Sequence, residues 1–144
     1  MKLSTRTRYG MQAILELADN FGKGPIQTRV IAEHQDISIK YLEQLMSMLK
    51  SSGLVRSQRG SKGGYILAKT PDKIKLSEIF DVLEGPVVTV ECVNNENFCR
   101  KAEDCIAKQV WMQVHKAIKD VLESMTLKDV LNKAKENWQS NYQI

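Results

Sequence analysis

Apolar positions at helical spacing open the chain. From Thr5 to Asn20 the residues Tyr9, Ala13, Ile14, Leu17 and Ala18, with Phe21 just beyond, fall on one face, and Gly22, Gly24 and Pro25 end the element. Thr28 is placed to cap a short second helix running to about Gln35, with Val30, Ile31 and Ala32 turned inward. Asp36 and Ile37 then leave room for only a tight connection. Ser38 caps a third helix whose stripe is Ile39, Leu42, Leu45, Met46 and Leu49, and Ser51, Ser52 and Gly53 close it. Two helices joined by so short a turn, the second capped and amphipathic, are what a helix-turn-helix needs.

Short strand-like segments follow at Leu54 to Gln58 and Tyr65 to Ala68, separated by the flexible, basic tip Arg59-Gly60-Ser61-Lys62-Gly63-Gly64. A helix-turn-helix followed by such a hairpin predicts a winged helix, the third helix suited to the major groove and the wing to phosphates or the minor groove. Pro71 and Asp72 mark a turn. Leu76 to Leu83 forms a small helix carrying Ile79, Phe80, Val82 and Leu83, stopped by Gly85-Pro86. The longest helix follows Cys105 and runs to about Ser124, with Ala107, Trp111, Val114, Ile118, Val121 and Met125 spaced as a helix-packing seam. Val110, Ala117 and Leu122 widen that stripe beyond what one surface helix requires, which favours dimerisation through this helix over an intramolecular core. Thr126 caps a last helix through Leu127, Val130, Leu131, Ala134 and Trp138. The expected fold is mainly α: a winged helix-turn-helix with a small β-hairpin wing and a long C-terminal dimerisation helix. It divides into a DNA-binding unit over 1–70, a connecting helix and linker over 71–91, a cysteine loop over 92–105, and dimerisation and terminal helices over 106–144.

Charge sharpens the first unit. Residues 1–70 carry 11 Lys and Arg against 5 Asp and Glu, whereas residues 71–144 carry 10 against 12. A basic half facing a polyanion fits double-stranded DNA. Ser38, Lys40, Tyr41 and Gln44, near the exposed start of the third helix, are the candidates for base or phosphate contacts. In the wing, Arg59 is suited to the minor groove and Arg56 and Lys62 to phosphates. No apolar run approaches the roughly 20 residues of a membrane span, so the chain is expected to be cytoplasmic. His34 and His115 have no evident nucleophile partner outside the cysteines, and no nucleotide-binding glycine loop is present; the chain reads as a non-enzyme.

The three cysteines, Cys92, Cys99 and Cys105, stand in one polar stretch with Cys-x6-Cys-x5-Cys spacing. Three thiols in a surface loop, with Arg100 and Lys101 favouring the thiolate, admit an iron–sulfur cluster, a zinc site, a redox thiol set or no function. The paired Cys-x2-Cys typical of structural zinc is missing, and a disulfide leaves one thiol over.

Several motifs together resemble one family. Met1-Lys2-Leu3-Ser4-Thr5, Arg8-Tyr9-Gly10, Tyr41-Leu42-Glu43-Gln44-Leu45, Gly53-Leu54-Val55, Arg59-Gly60 with Gly63-Gly64-Tyr65, and Leu83-Glu84-Gly85-Pro86 are similar to the IscR-like iron–sulfur cluster regulators. That winged-helix family also includes NsrR and CymR. The resemblance implies a homodimeric repressor on a pseudo-palindromic operator, and a cluster, 2Fe–2S favoured, held by Cys92, Cys99 and Cys105. The fourth ligand departs from the family pattern. Where relatives place a histidine three residues after the last cysteine this chain has Lys108, and where others use a partner-subunit carboxylate it has Arg8. Glu103 and Asp104 adjoin Cys105 closely and His115 lies well along the following helix; Glu43, an acid on the recognition helix, is a candidate for the ligand, with acceptance from cytosine N4 or a solvated surface position as its other readings. Such a regulator reports iron–sulfur supply and controls cluster biogenesis, with iron–sulfur assembly proteins as partners. Two alternatives stay open: a CymR-like cysteine-metabolism regulator, controlled by a cysteine-biosynthesis enzyme or by thiol oxidation, and an iron–sulfur electron-transfer or carrier protein.

Overall fold

The computed structural model describes residues 2–86, 93 and 105–142. Helix α1 (Thr5–Asp19) starts at Ser4, whose hydroxyl accepts from the Thr7 N–H, and lays Ala13, Ile14, Leu17 and Ala18 into the core. Helix α2 (Thr28–Gln35) begins one residue earlier than the Thr28 cap predicts: Gln27 is the cap, with no side-chain bond, and Thr28 is the first helical residue. Its end is set by Asp36, the one non-glycine described residue with positive φ, at 53°. That left-handed residue turns the chain sharply into the next helix, a conformation Asp tolerates better than most residues.

Helix α3 (Ile39–Ser51) begins as the sequence predicts, with the Ser38 hydroxyl accepting from the Tyr41 N–H at 3.0 Å. A cap of this kind stabilises a helix by about 1 kcal/mol. Leu42, Leu45, Met46 and Leu49 are buried, but Ile39 is 46% exposed. The expected stripe therefore starts one turn late, because Ile39 is the first helical residue and lies beyond the edge of the core.

Strands β1 (Val55–Gln58) and β2 (Gly64–Leu67) pair antiparallel, from Val55 opposite Leu67 to Gln58 opposite Gly64. The hairpin is fastened close to its tip: the Tyr65 N–H donates to the Ile26 carbonyl at 2.9 Å, and the Ile26 N–H returns a bond to the Tyr65 carbonyl at 3.0 Å. Only glycine fits at Gly64, since a Cβ there would lie 2.0 Å from the Ile26 carbonyl oxygen.

A 3₁₀ turn (Pro71–Lys73) leads into α4 (Leu76–Leu83), which buries Leu76, Ile79 and Leu83. Leu83 packs directly on α1, where a Cβ added at Gly10 would stand 2.5 Å from a Leu83 methyl. Helices α5 (Ile106–Ser124) and α6 (Leu127–Tyr142) complete the described chain. Their junction is tied back by two backbone bonds, from Leu76 N–H to the Met125 carbonyl at 2.9 Å and from Leu127 N–H to the Ile74 carbonyl at 3.0 Å. Thr126 and Asp129 cap α6 reciprocally, each accepting from the other's backbone N–H. One core runs from Ala13 through α2, α3, the hairpin and α4 to Leu127.

Helix α5 lies at the margin of that core, with Leu122 packed against it. None of its residues is buried. Ile118, Leu122 and His115 are partly covered, whereas Val110, Val114 and Val121 are exposed, Val121 at 52% and Ile106 at 80%. The predicted seam thus divides: Ile118 and Leu122 are shielded within the chain, and Ile106, Val110, Val114, Ala117 and Val121, spaced 4, 4, 3 and 4, form a bare apolar stripe.

Candidate nucleic-acid interface and cysteine segment

The sequence-predicted reading residues come together on the open face of α3. Ser38, Lys40 and Gln44 are exposed and Tyr41 is half-buried, its ring meeting Tyr9 of α1 edge-on with centroids 6.1 Å apart. Arg8 also lies over the Tyr9 ring, its guanidinium carbon 5.9 Å from the centroid. Arg6, also on α1, joins Lys40, Tyr41, Glu43, Gln44, Ser47 and Met48 around one open groove. Sequence reasoning missed Arg6. Its signal was the basic N-terminal run with Lys2 and Arg8, which that reading left outside the interface.

In the wing Arg56, Arg59 and Lys62 are all exposed. Among these three, Arg56 sits within β1 and the other two on the connection between the strands. Glu43 is the one acid on α3, and it is exposed. Burial first, and the Glu43 charge second, raise the Tyr65 hydroxyl above its ordinary pKa.

A carboxylate from far along the chain fixes the start of α1. Glu84 Oε2 accepts from the Ser4 N–H at 3.1 Å and from the Ser4 hydroxyl at 2.7 Å, 80 residues away in sequence. The Thr7 hydroxyl donates to the same oxygen, and Thr7 is 1% exposed. The Thr7 and Ser4 hydroxyls, with smaller help from the Ser4 N–H and the Arg6 charge, hold Glu84 below the usual carboxylate range. Leu83 and Glu84 therefore dock on Gly10, Ser4 and Thr7.

Of the cysteines, Cys92 and Cys99 lie outside the described residues. Cys105 is a free, half-buried thiol at the N-cap of α5, and it makes no capping bond there. That donor chemistry fits an iron–sulfur cluster and equally fits an oxidisable thiol. Among the described residues no set of three His, Cys, Asp or Glu side chains converges as a metal site. Between α4 and α5 a groove lined by Ser77, Asp81, Pro86, His115, Lys119 and Leu122 holds the His115 Nδ1, buried and without a partner among the described residues. No described helix is long and apolar enough to cross a membrane.

The model of the Rrf2 family, described as iron-dependent transcriptional regulators, matches residues 3–133. The chain belongs to the Rrf2 family. This Rrf2 chain is 42% identical over 130 residues to the HTH-type transcriptional regulator CymR of Bacillus subtilis, covering 90% of the chain and 89% of CymR. The structure of that global cysteine regulator superposes with a TM-score of 0.79 at 40% identity, covering 92% of this chain and 98% of CymR. The IscR structure of T. potens gives a TM-score of 0.77 at 43% identity, over 95% and 90% of the two chains. Staphylococcus aureus CymR in an oxidized form gives 0.74 at 38% identity, over 90% and 95%. The Rrf2 protein is accordingly a winged-helix transcriptional regulator, similar to both CymR and IscR.

Proposed function

We propose that the chain is a homodimeric, cytoplasmic repressor that binds a pseudo-palindromic operator and senses iron–sulfur supply through Cys92, Cys99 and Cys105. The exposed row Ser38, Lys40, Tyr41 and Gln44 on a capped α3, beside an acid-free basic wing, is the observation that carries the DNA reading. In a dimer the two α3 helices enter successive major-groove turns, and Arg59 follows the minor groove while Arg56 and Lys62 hold phosphates. The bare stripe of α5 supports pairing with a second copy, because contiguous exposed apolar surface of this kind marks an interface. At the sensor, Cys105 supplies a thiol unengaged by capping, and the cluster of the 2Fe–2S kind would be bound by the three thiolates with Glu43 as candidate fourth ligand. The family description as iron-dependent regulators and the likeness to IscR support this reading. Iron–sulfur assembly proteins are the partners it implies.

A second reading has its own support. The likeness to CymR, including an oxidized form, favours thiol-based control or control by a cysteine-biosynthesis enzyme. Anaerobic purification with iron and acid-labile sulfide measured per chain separates the two. The cluster reading expects both in equal amounts, lost in Cys92→Ser, Cys99→Ser or Cys105→Ser variants. An iron-free chain that resists reconstitution, yet still retards operator DNA, would leave the second reading.

A further inference from the structure

Glu84 occupies an unusual position for a carboxylate near a DNA-binding face. It closes α4, two residues before Pro86, and reaches across to the first turn of α1 rather than to its own helix. There it satisfies the Ser4 N–H, the Ser4 hydroxyl and the buried Thr7 hydroxyl with one oxygen. Beside it the Leu83 side chain packs on Gly10, where an added Cβ would stand 2.5 Å from a Leu83 methyl, so the end of α4 and the first half of α1 are in direct contact at two points. Arg6 lies between Ser4 and Thr7 in sequence, one turn from the Tyr9–Tyr41 contact that joins α1 to α3, and borders the α3 groove.

We propose that Glu84 is a positioning residue for DNA binding: by holding the first turn of α1 it sets Arg6 beside Lys40 and Gln44, where the guanidinium meets a backbone phosphate flanking the bases that α3 reads. This rests on the reading of α3 as the DNA-facing helix. The chemistry requires an indirect role. A carboxylate facing DNA would repel phosphates, whereas one turned inward on three donors spends its charge within the protein and leaves Arg6 available to the nucleic acid. Glu84 acts through the α1 backbone and touches no nucleotide.

The test is the salt dependence of operator affinity for the full-length chain, with four proteins: wild type, Arg6→Ala, Glu84→Gln and the double variant. Removing one phosphate contact lowers the slope of log affinity against log salt concentration by about one, and this slope does not change when part of the sample is merely unfolded. Arg6→Ala is expected to lose that one contact and about tenfold in affinity. Glu84→Gln should lose the same slope, and the double variant should bind no more weakly than Arg6→Ala alone. Should Glu84→Gln fold poorly, Ser4→Ala opens the same joint from the α1 side and is read by the same slope. An unchanged slope in Glu84→Gln, additive losses in the double variant, or tighter binding would each overturn the proposal. Tighter binding would instead assign Glu84 to shielding the α1 terminus from phosphate. A wild-type chain that fails to retard operator DNA at any salt concentration would take down the DNA reading itself, a result distinct from these.

Discussion

At the residue scale, the Glu84 carboxylate makes stability depend on pH in a defined direction. Its folded-state pKa lies below the ordinary value because Thr7, Ser4 and the Arg6 charge favour the ionised form. The contribution is therefore complete above the usual carboxylate range and is lost as the pH falls through the lowered folded value. Urea midpoints of wild type and Glu84→Gln, compared across the acid range, should differ at neutral pH and converge at low pH. A gap that stays constant would show that the charge is not what stabilises the joint. A single sequence does not reveal this contact. Ser38 could be read as a cap because its partner, Tyr41, is three residues away, but Ser4 and Glu84 are 80 residues apart and neither residue type names the other. Ile39 fails for a local reason: helical spacing gives the direction of a stripe and not the turn at which the core begins.

Among the elements, the hairpin shows how a local signal and a distant one combine. The strands and their basic tip were legible from Arg59 to Tyr65, since glycines and alternating residues carry that information within a few positions. The anchoring of the hairpin by Ile26 was not, because Ile26 reads only as an apolar residue after a turn. That anchor also gives Gly64 its role. Gly64→Ala would set a Cβ against the Ile26 carbonyl and is expected to destabilise the fold by about 1–3 kcal/mol, as overpacking does. Urea unfolding measures the loss, and amide exchange at Tyr65 locates it. Continued protection of the Tyr65 amide would mean that the backbones accommodate the methyl and that the wing's seating is less strict than this geometry implies.

For the whole molecule the decisive element is α5. Its apolar positions were visible in sequence, but two faces of the helix are apolar, and only the fold separates Leu122 and Ile118, shielded within the chain, from Val114 and Val121, left outside. Val114→Glu with Val121→Glu should leave the chain folded but monomeric by sedimentation, with operator affinity down by about 100-fold or more as the two half-sites lose their linkage. A dimer that persists would place the subunit contact elsewhere. The bare stripe also bears on dosage. A regulator whose helix is covered only by its twin must first meet that twin, so at low abundance operator occupancy follows the square of the chain's concentration. Halving its synthesis would then cut operator occupancy by about fourfold rather than twofold.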